Sequence, residues 1–172
     1  MAGVSDRGQG AGIKVFWFFF SKKNIFLPMP PLFTIGYEGL RQAQLIDLLH
    51  AAGVSLLLDV RAVALSRKAG FSKSVLCASV SQRGITYVHD RRLGTPKPGR
   101  QAARSGRTAE MEAIFNAHMH TEPARQGLAD AIGLARREKI CLLCFERDPH
   151  DCHRNIVARM IRAETGQAIH HL

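Results

Sequence analysis

Apolar residues along this chain switch repeatedly between two spacings. Residues 32–35 form a short apolar run that stops at Gly36, as a buried strand does. Leu40, Ala43, Leu45, Leu48, Leu49 and Ala52 then recur at helical spacing, which predicts a helix over 40–51 closed by Gly53. Residues 54–60 are again almost continuously apolar, the pattern of a strand covered on both faces. The alternation then repeats. Ser72 opens a helix to about 82, Gly84 stops it, and 85–89 is a third strand. Residues 90–107, rich in Arg, Gly and Pro, predict a long connection without regular structure. Thr108 caps a helix carrying Met111, Ile114 and Phe115, and Pro123 opens another carrying Leu128, Ile132 and Leu134. A fourth strand is expected over 140–145, a helix over 153–163 with Ile156, Val157, Met160 and Ile161, and a last strand over 167–171. No internal repeat is present.

Strands alternating with helices predict an α/β fold. We expect a single domain over 29–172, with a mostly parallel sheet of about four or five strands and helices on both faces. Ligands of such sheets bind beyond the carboxyl ends of the strands. The polar residues fall there: Tyr37 and Glu38 after the first strand, Asp59 and Arg61 at the end of the second, His89 and Asp90 after the third, Cys144 and Glu146 after the fourth. Four strands delivering ionisable groups to one rim predict a pocket.

Composition narrows the partners. The net charge of +10 over 172 residues predicts attraction to a phosphate-bearing ligand or to nucleic acid. Four cysteines, Cys77, Cys141, Cys144 and Cys152, make no disulfide framework, and a reducing cytoplasm is the expected setting. Cys141 and Cys144 are spaced C-x-x-C. On a strand, however, positions three apart face opposite ways, which argues against a redox pair. No transmembrane segment or membrane partner is expected, since the apolar run 15–20 is far too short to span a bilayer. Residues 1–28 change from Gly-rich to aromatic to basic. They read as an extension outside the domain, as from a misassigned start, with a membrane-surface or partner-binding segment as the rival reading.

Several segments, in order, carry a resemblance. They are Thr34-Ile35-Gly36-Tyr37-Glu38-Gly39, Asp59-Val60-Arg61, Ser66-Arg67-Lys68 with Gly70-Phe71-Ser72-Lys73, Gly84-Ile85-Thr86-Tyr87-Val88-His89, Leu93-Gly94-Thr95-Pro96-Lys97, Leu143-Cys144-Phe145-Glu146 and Cys152-His153-Arg154. Together they resemble the domain of unknown function 488 family over most of residues 33–160. The resemblance implies a compact α/β domain of bacterial or archaeal type and implies no reaction. Ala64 and Ala69 stand where such sequences carry proline, which implies a less rigid 62–70 loop.

The chemistry stays open at this point. Asp59 and Arg61 form either a loop-ordering ion pair or an anion clamp. Ser66, Arg67, Lys68 and Lys73 surround Gly70, and Lys97, Arg100, Arg104 and Arg107 make the 90–107 connection a basic flap that grips a ligand. The densest patch is 142–157. Cys144 or Cys152 is a candidate nucleophile with His153 or Glu146 as proton partner, and Asp59 or Glu146 a candidate acid or base. Alternatively Cys144, Cys152 and His153, with His150 or His89, are metal ligands, or the cysteines are structural and Arg154 bonds strand-end carbonyls. No cofactor, metal or oligomeric state is assigned by these residues. Three classes of function remain: an enzyme acting on a phosphate-bearing ligand, a non-catalytic nucleic-acid-binding module, and a thiol-dependent sulfur-transfer or redox protein.

Overall fold

Five short segments lie side by side as parallel strands, the inner three apolar and buried and the two edge strands more polar: β1 (Leu32–Gly36), β2 (Leu56–Asp59), β3 (Thr86–His89), β4 (Ile140–Cys144) and β5 (Ile169–His171), in the order β3-β2-β4-β1-β5. This computed structural model describes residues 29–172, so the expected extension over 1–28 lies outside the described residues. Six α-helices surround the sheet among them: α1 (Gln42–Ala51), α2 (Lys73–Ser81), α3 (Lys97–Arg104), α4 (Thr108–Met119), α5 (Glu122–Ala135) and α6 (His153–Thr165). The fold is α/β with helices on both faces. Leu45, Leu49, Leu76 and Val80 of α1 and α2 cover Leu57, Cys141 and Leu143 on one side. Met111, Phe115, Ala131, Val157 and Ile161 of α4, α5 and α6 cover Leu56, Leu58 and Leu142 on the other. Adjacent residues of β4 thus face opposite cores, as side-chain alternation requires. Cys141 packs under α1 and α2, away from Cys144.

The 90–107 segment differs from expectation. It holds a short 3-10 turn at Arg91–Leu93 and then α3, in place of an irregular flap. Two residues that read as breakers explain this. Pro98 sits in the first turn of α3, where a missing N–H costs nothing. Gly99 is buried against α4, where a Cβ would press on Thr95 and Ile114. At the next helix start the N-cap position is Arg107, and Thr108 is the first helical residue. No helix among the described residues is long and apolar enough to cross a membrane.

Topology places a crevice. The connection from β2 runs through α2 towards β3, on the α1–α2 face. The connection from β4 runs through α6 towards β5, on the opposite face. The two chains leave adjacent strand ends in opposite directions, and an open α/β sheet binds ligands at such a divergence.

Candidate functional site

Beyond the end of β2 lies a buried polar knot. Asp59 is fully buried and accepts from the Arg61 backbone N–H (3.0 Å), from Arg61 Nε (2.8 Å) and from Arg61 Nη2. Its other partner is the Tyr87 hydroxyl. Arg61 Nη1 donates to Tyr37 Oη (3.0 Å) and to the Phe71 carbonyl (2.9 Å). His89 Nε2 meets the Arg61 carbonyl at 2.8 Å. Burial works against the Arg61 charge, but its bonds to Asp59 and the attraction of that carboxylate outweigh it and hold the guanidinium above its ordinary pKa. Burial, reinforced by the Asp59 charge, likewise keeps the Tyr87 phenol protonated. The knot joins the ends of β1, β2 and β3 to the loop before α2.

A second cluster forms where β4 hands over to α6. The Cys144 and Cys152 thiols both donate to Glu146 Oε2 at 3.0 Å. His153 Nδ1 lies 3.7 Å from Cys144 Sγ and 3.9 Å from Cys152 Sγ. His153 Nε2 lies 3.0 Å from the Val60 carbonyl, so it carries the proton. In the neutral ring Nδ1 then turns a lone pair towards both sulfurs. Burial pushes both thiols above their ordinary pKa. Burial also opposes the Glu146 charge, yet the bonds from Cys152 and Cys144 hold this carboxyl below its ordinary value. One donor atom from each of the four residues falls within 4.8 Å of the others, a set able to hold a metal ion. The fourth member is Glu146, where the sequence suggested His150 or His89.

Two residues fix the loop that carries Glu146. Arg154, only 1% exposed, donates through Nη1 and Nη2 to the carbonyls of Glu146 and Arg147. Gly36, paired with Cys144 across the sheet, lies so close to this loop that a Cβ would overlap the Glu146 carbonyl.

Cys144, Glu146 and His153 of the second cluster form the floor of a cleft of about 1030 Å³. Of the residues expected from the sequence, Tyr37, Glu38, Arg61, Ser66, Arg67, Arg100, Cys144, Glu146 and His153 line it. Asp59, Cys152 and Arg154 lie behind the lining and do not form it. Lys73, His89 and Lys97 are not brought to it. His89 is engaged with Arg61 on an edge strand, while Lys73 and Lys97 are exposed in the first turns of α2 and α3.

Residues 41–161 match the family described as domain of unknown function DUF488. The chain belongs to this family. No curated protein and no solved structure matches it. Within this DUF488 domain, the cleft also includes acids that the sequence reading passed over. Asp148 caps the turn at Pro149–Asp151, and Asp151 accepts from Thr108 Oγ1 at 3.0 Å, linking that turn to α4. The Asp148-Pro149 pair, a turn signal inside the densest motif, was the available cue.

Proposed function

We propose that the cleft binds a phosphate-bearing ligand of nucleotide size and that chemistry on this ligand takes place at the floor. The observation that supports this reading is a set of cations without ion-pair partners in a cleft that four carboxylates, Glu38, Glu146, Asp148 and Asp151, also line. Arg67, Lys68, Arg100 and Arg104 line the cleft, and none of them pairs with a carboxylate among the described residues. Lys68 Nζ and Arg100 Nη1 instead reach the carbonyls of Tyr37 and Thr95. Arg92, Arg107 and Arg125 elsewhere all hold carboxylates. Three acids of the cleft are themselves occupied: Glu38 accepts from the Arg147 N–H, Asp148 from the His150 N–H and Asp151 from Thr108. A doubly charged phosphate would satisfy the free cations with charge-assisted bonds.

The apolar part of the lining fits a ring system. Phe145 is 44% exposed at the cleft, edge-on to Tyr37 at 5.3 Å, and Val63 and Leu65 are exposed beside it. A cleft of this volume suits one nucleotide unit, whereas specific duplex recognition takes a broad surface of about 1,000 Å² or more. At the floor the Glu146 carboxyl is held below its ordinary pKa and the Cys144 thiol is pushed above its own by burial, with the Cys152 thiol behind them. A thiol raised in pKa is a weak nucleophile, which favours proton-transfer or metal chemistry over sulfur transfer.

Calorimetric titration with a panel of nucleoside phosphates tests this. Removing Arg67 or Arg104 singly (R67A, R104A) is expected to weaken binding roughly tenfold to hundredfold each, since a hydrogen bond to a charged group contributes about 1.5–3 kcal/mol. Phe145→Ala should weaken nucleotides but leave pyrophosphate unchanged, base stacking contributing about 1–3 kcal/mol. Glu146→Gln should spare binding and remove turnover. If no nucleotide binds, and long single-stranded DNA or RNA binds with a steep salt dependence, the cleft reading falls and a nucleic-acid-binding module replaces it.

A further inference from the structure

We infer that Cys144, Glu146, Cys152 and His153 form a binding site for one thiophilic divalent cation, with zinc the ion whose preferences they meet. The role of the ion in turnover rests on the reading of the cleft above; its binding does not. Two sulfurs, one imidazole nitrogen and one carboxylate oxygen make a tetrahedral set that favours zinc over magnesium or calcium, which take oxygen.

Geometry supports the assignment at three levels. The donor separations of 3.0, 3.0, 3.7 and 3.9 Å lie near the edges of a zinc tetrahedron. Bonds of about 2.0–2.3 Å give edges of roughly 3.3–3.8 Å. Small side-chain rotations suffice to close the difference. Nε2 donates its hydrogen to the Val60 carbonyl, which leaves Nδ1 as the ligating nitrogen of the neutral ring, and backbone carbonyls are among the usual outer partners of metal-bound histidine. The loop bearing Glu146 is anchored from behind by Arg154.

Adjacent ligands at 152 and 153 look unfavourable in sequence but not in this fold. Cys152 is the N-cap of α6 with extended backbone (φ −130, ψ 134), and His153 is the first helical residue. The chain turns between them, so both side chains reach one point. Cys144 arrives from β4, on the face opposite Cys141. Both thiols lose their protons to solvent on coordination. With all four donors bound the ion would tie β4, the Glu146 loop and the start of α6 together, and it would act as a Lewis acid at the cleft floor only where Glu146 gave up its place to the ligand.

Cobalt(II) titration of the chelator-stripped full-length chain in reducing buffer tests the site. We expect one equivalent to bind, with intense visible bands of a tetrahedral centre and near-ultraviolet thiolate charge transfer, both erased by zinc. Cys144→Ser and Cys152→Ser should each weaken binding by roughly a hundredfold or more, above the tenfold-to-hundredfold cost of losing an outer partner. Cys77→Ser, distant on α2, should change nothing. Zinc at a hundred times Kd should raise the wild-type Tm by roughly 5–10 °C and leave Cys152→Ser unmoved. Absence of a stoichiometric tetrahedral spectrum in the wild type overturns the site, as does a spectrum that survives both serine variants. Because the wild-type spectrum decides first, a variant that fails to fold does not shelter the proposal. Metal binding without nucleotide affinity refutes the reading of the walls alone, and nucleotide affinity without metal refutes this inference alone.

Discussion

Asp59→Ala is expected to destabilise the fold by about 3–5 kcal/mol, the cost of stranding a buried charge, which lowers Tm by roughly 6–20 °C for a chain of this size. The carboxylate has no exposed surface and takes four donors: three from Arg61 and one from Tyr87. Its removal leaves a 5%-exposed guanidinium with only the Tyr37 hydroxyl and the Phe71 carbonyl. It also unties the ends of three strands at once. Asp59→Asn keeps the shape, loses the charge and should fall between wild type and Asp59→Ala. Thermal melts and urea titrations read the effect. A Tm within about 2 °C of wild type, less than 1 kcal/mol, would show that the knot contributes little.

Gly36→Ala is expected to cost about 3 kcal/mol or more, at or beyond the upper end of overpacking, because the new Cβ meets backbone and not a yielding side chain. The atoms in its way are the Glu146 carbonyl and the Arg147 Cα. Relief requires the loop carrying Glu146 to move. Turnover and cobalt binding should therefore fall even under conditions where the variant remains folded. Gly39→Ala is the control. Its φ of +79 strains any other residue, but a Cβ there meets nothing. That strain costs about 1–2 kcal/mol and should leave the floor intact. Equal losses of cobalt binding in both variants would show that the close approach at Gly36 is unimportant.

Much of this architecture was legible from the residues. The run at 54–60 announced a strand covered on both faces, and parallel strands deliver their carboxyl ends to one edge. That is why Tyr37, Arg61 and Cys144 could be expected together. Strand order was not legible, since nothing local says that β4 lies between β1 and β2. The helix α3 was hidden because Pro98 and Gly99 read as breakers, while their use as first-turn residue and close-packing residue depends on Thr95 and Ile114. Arg61 and Arg154 went to destinations that the sequence offered among its alternatives, a loop-ordering ion pair and the carbonyls past a strand end. Both point into the protein, one to Asp59 and Tyr37, the other to two carbonyls. Glu146 reached the thiols because its loop curls back over Gly36, a contact between residues 110 positions apart.

The strand order also constrains how the chain acquires its shape. The central position of the sheet belongs to β4, which a ribosome delivers only after β1, β2, β3 and five helices. Until it arrives, β1 and β2 have no native neighbour in common, and pairing them directly would bar the slot. Nascent chains halted before residue 140 therefore leave both edges of β1 and the inner edge of β2 unpaired, a state open to aggregation and to chaperone capture. Insertion of this one strand brings Cys144 into place and gives the Glu146 loop and α6 the surface on which they complete the apolar interior and the floor of the cleft.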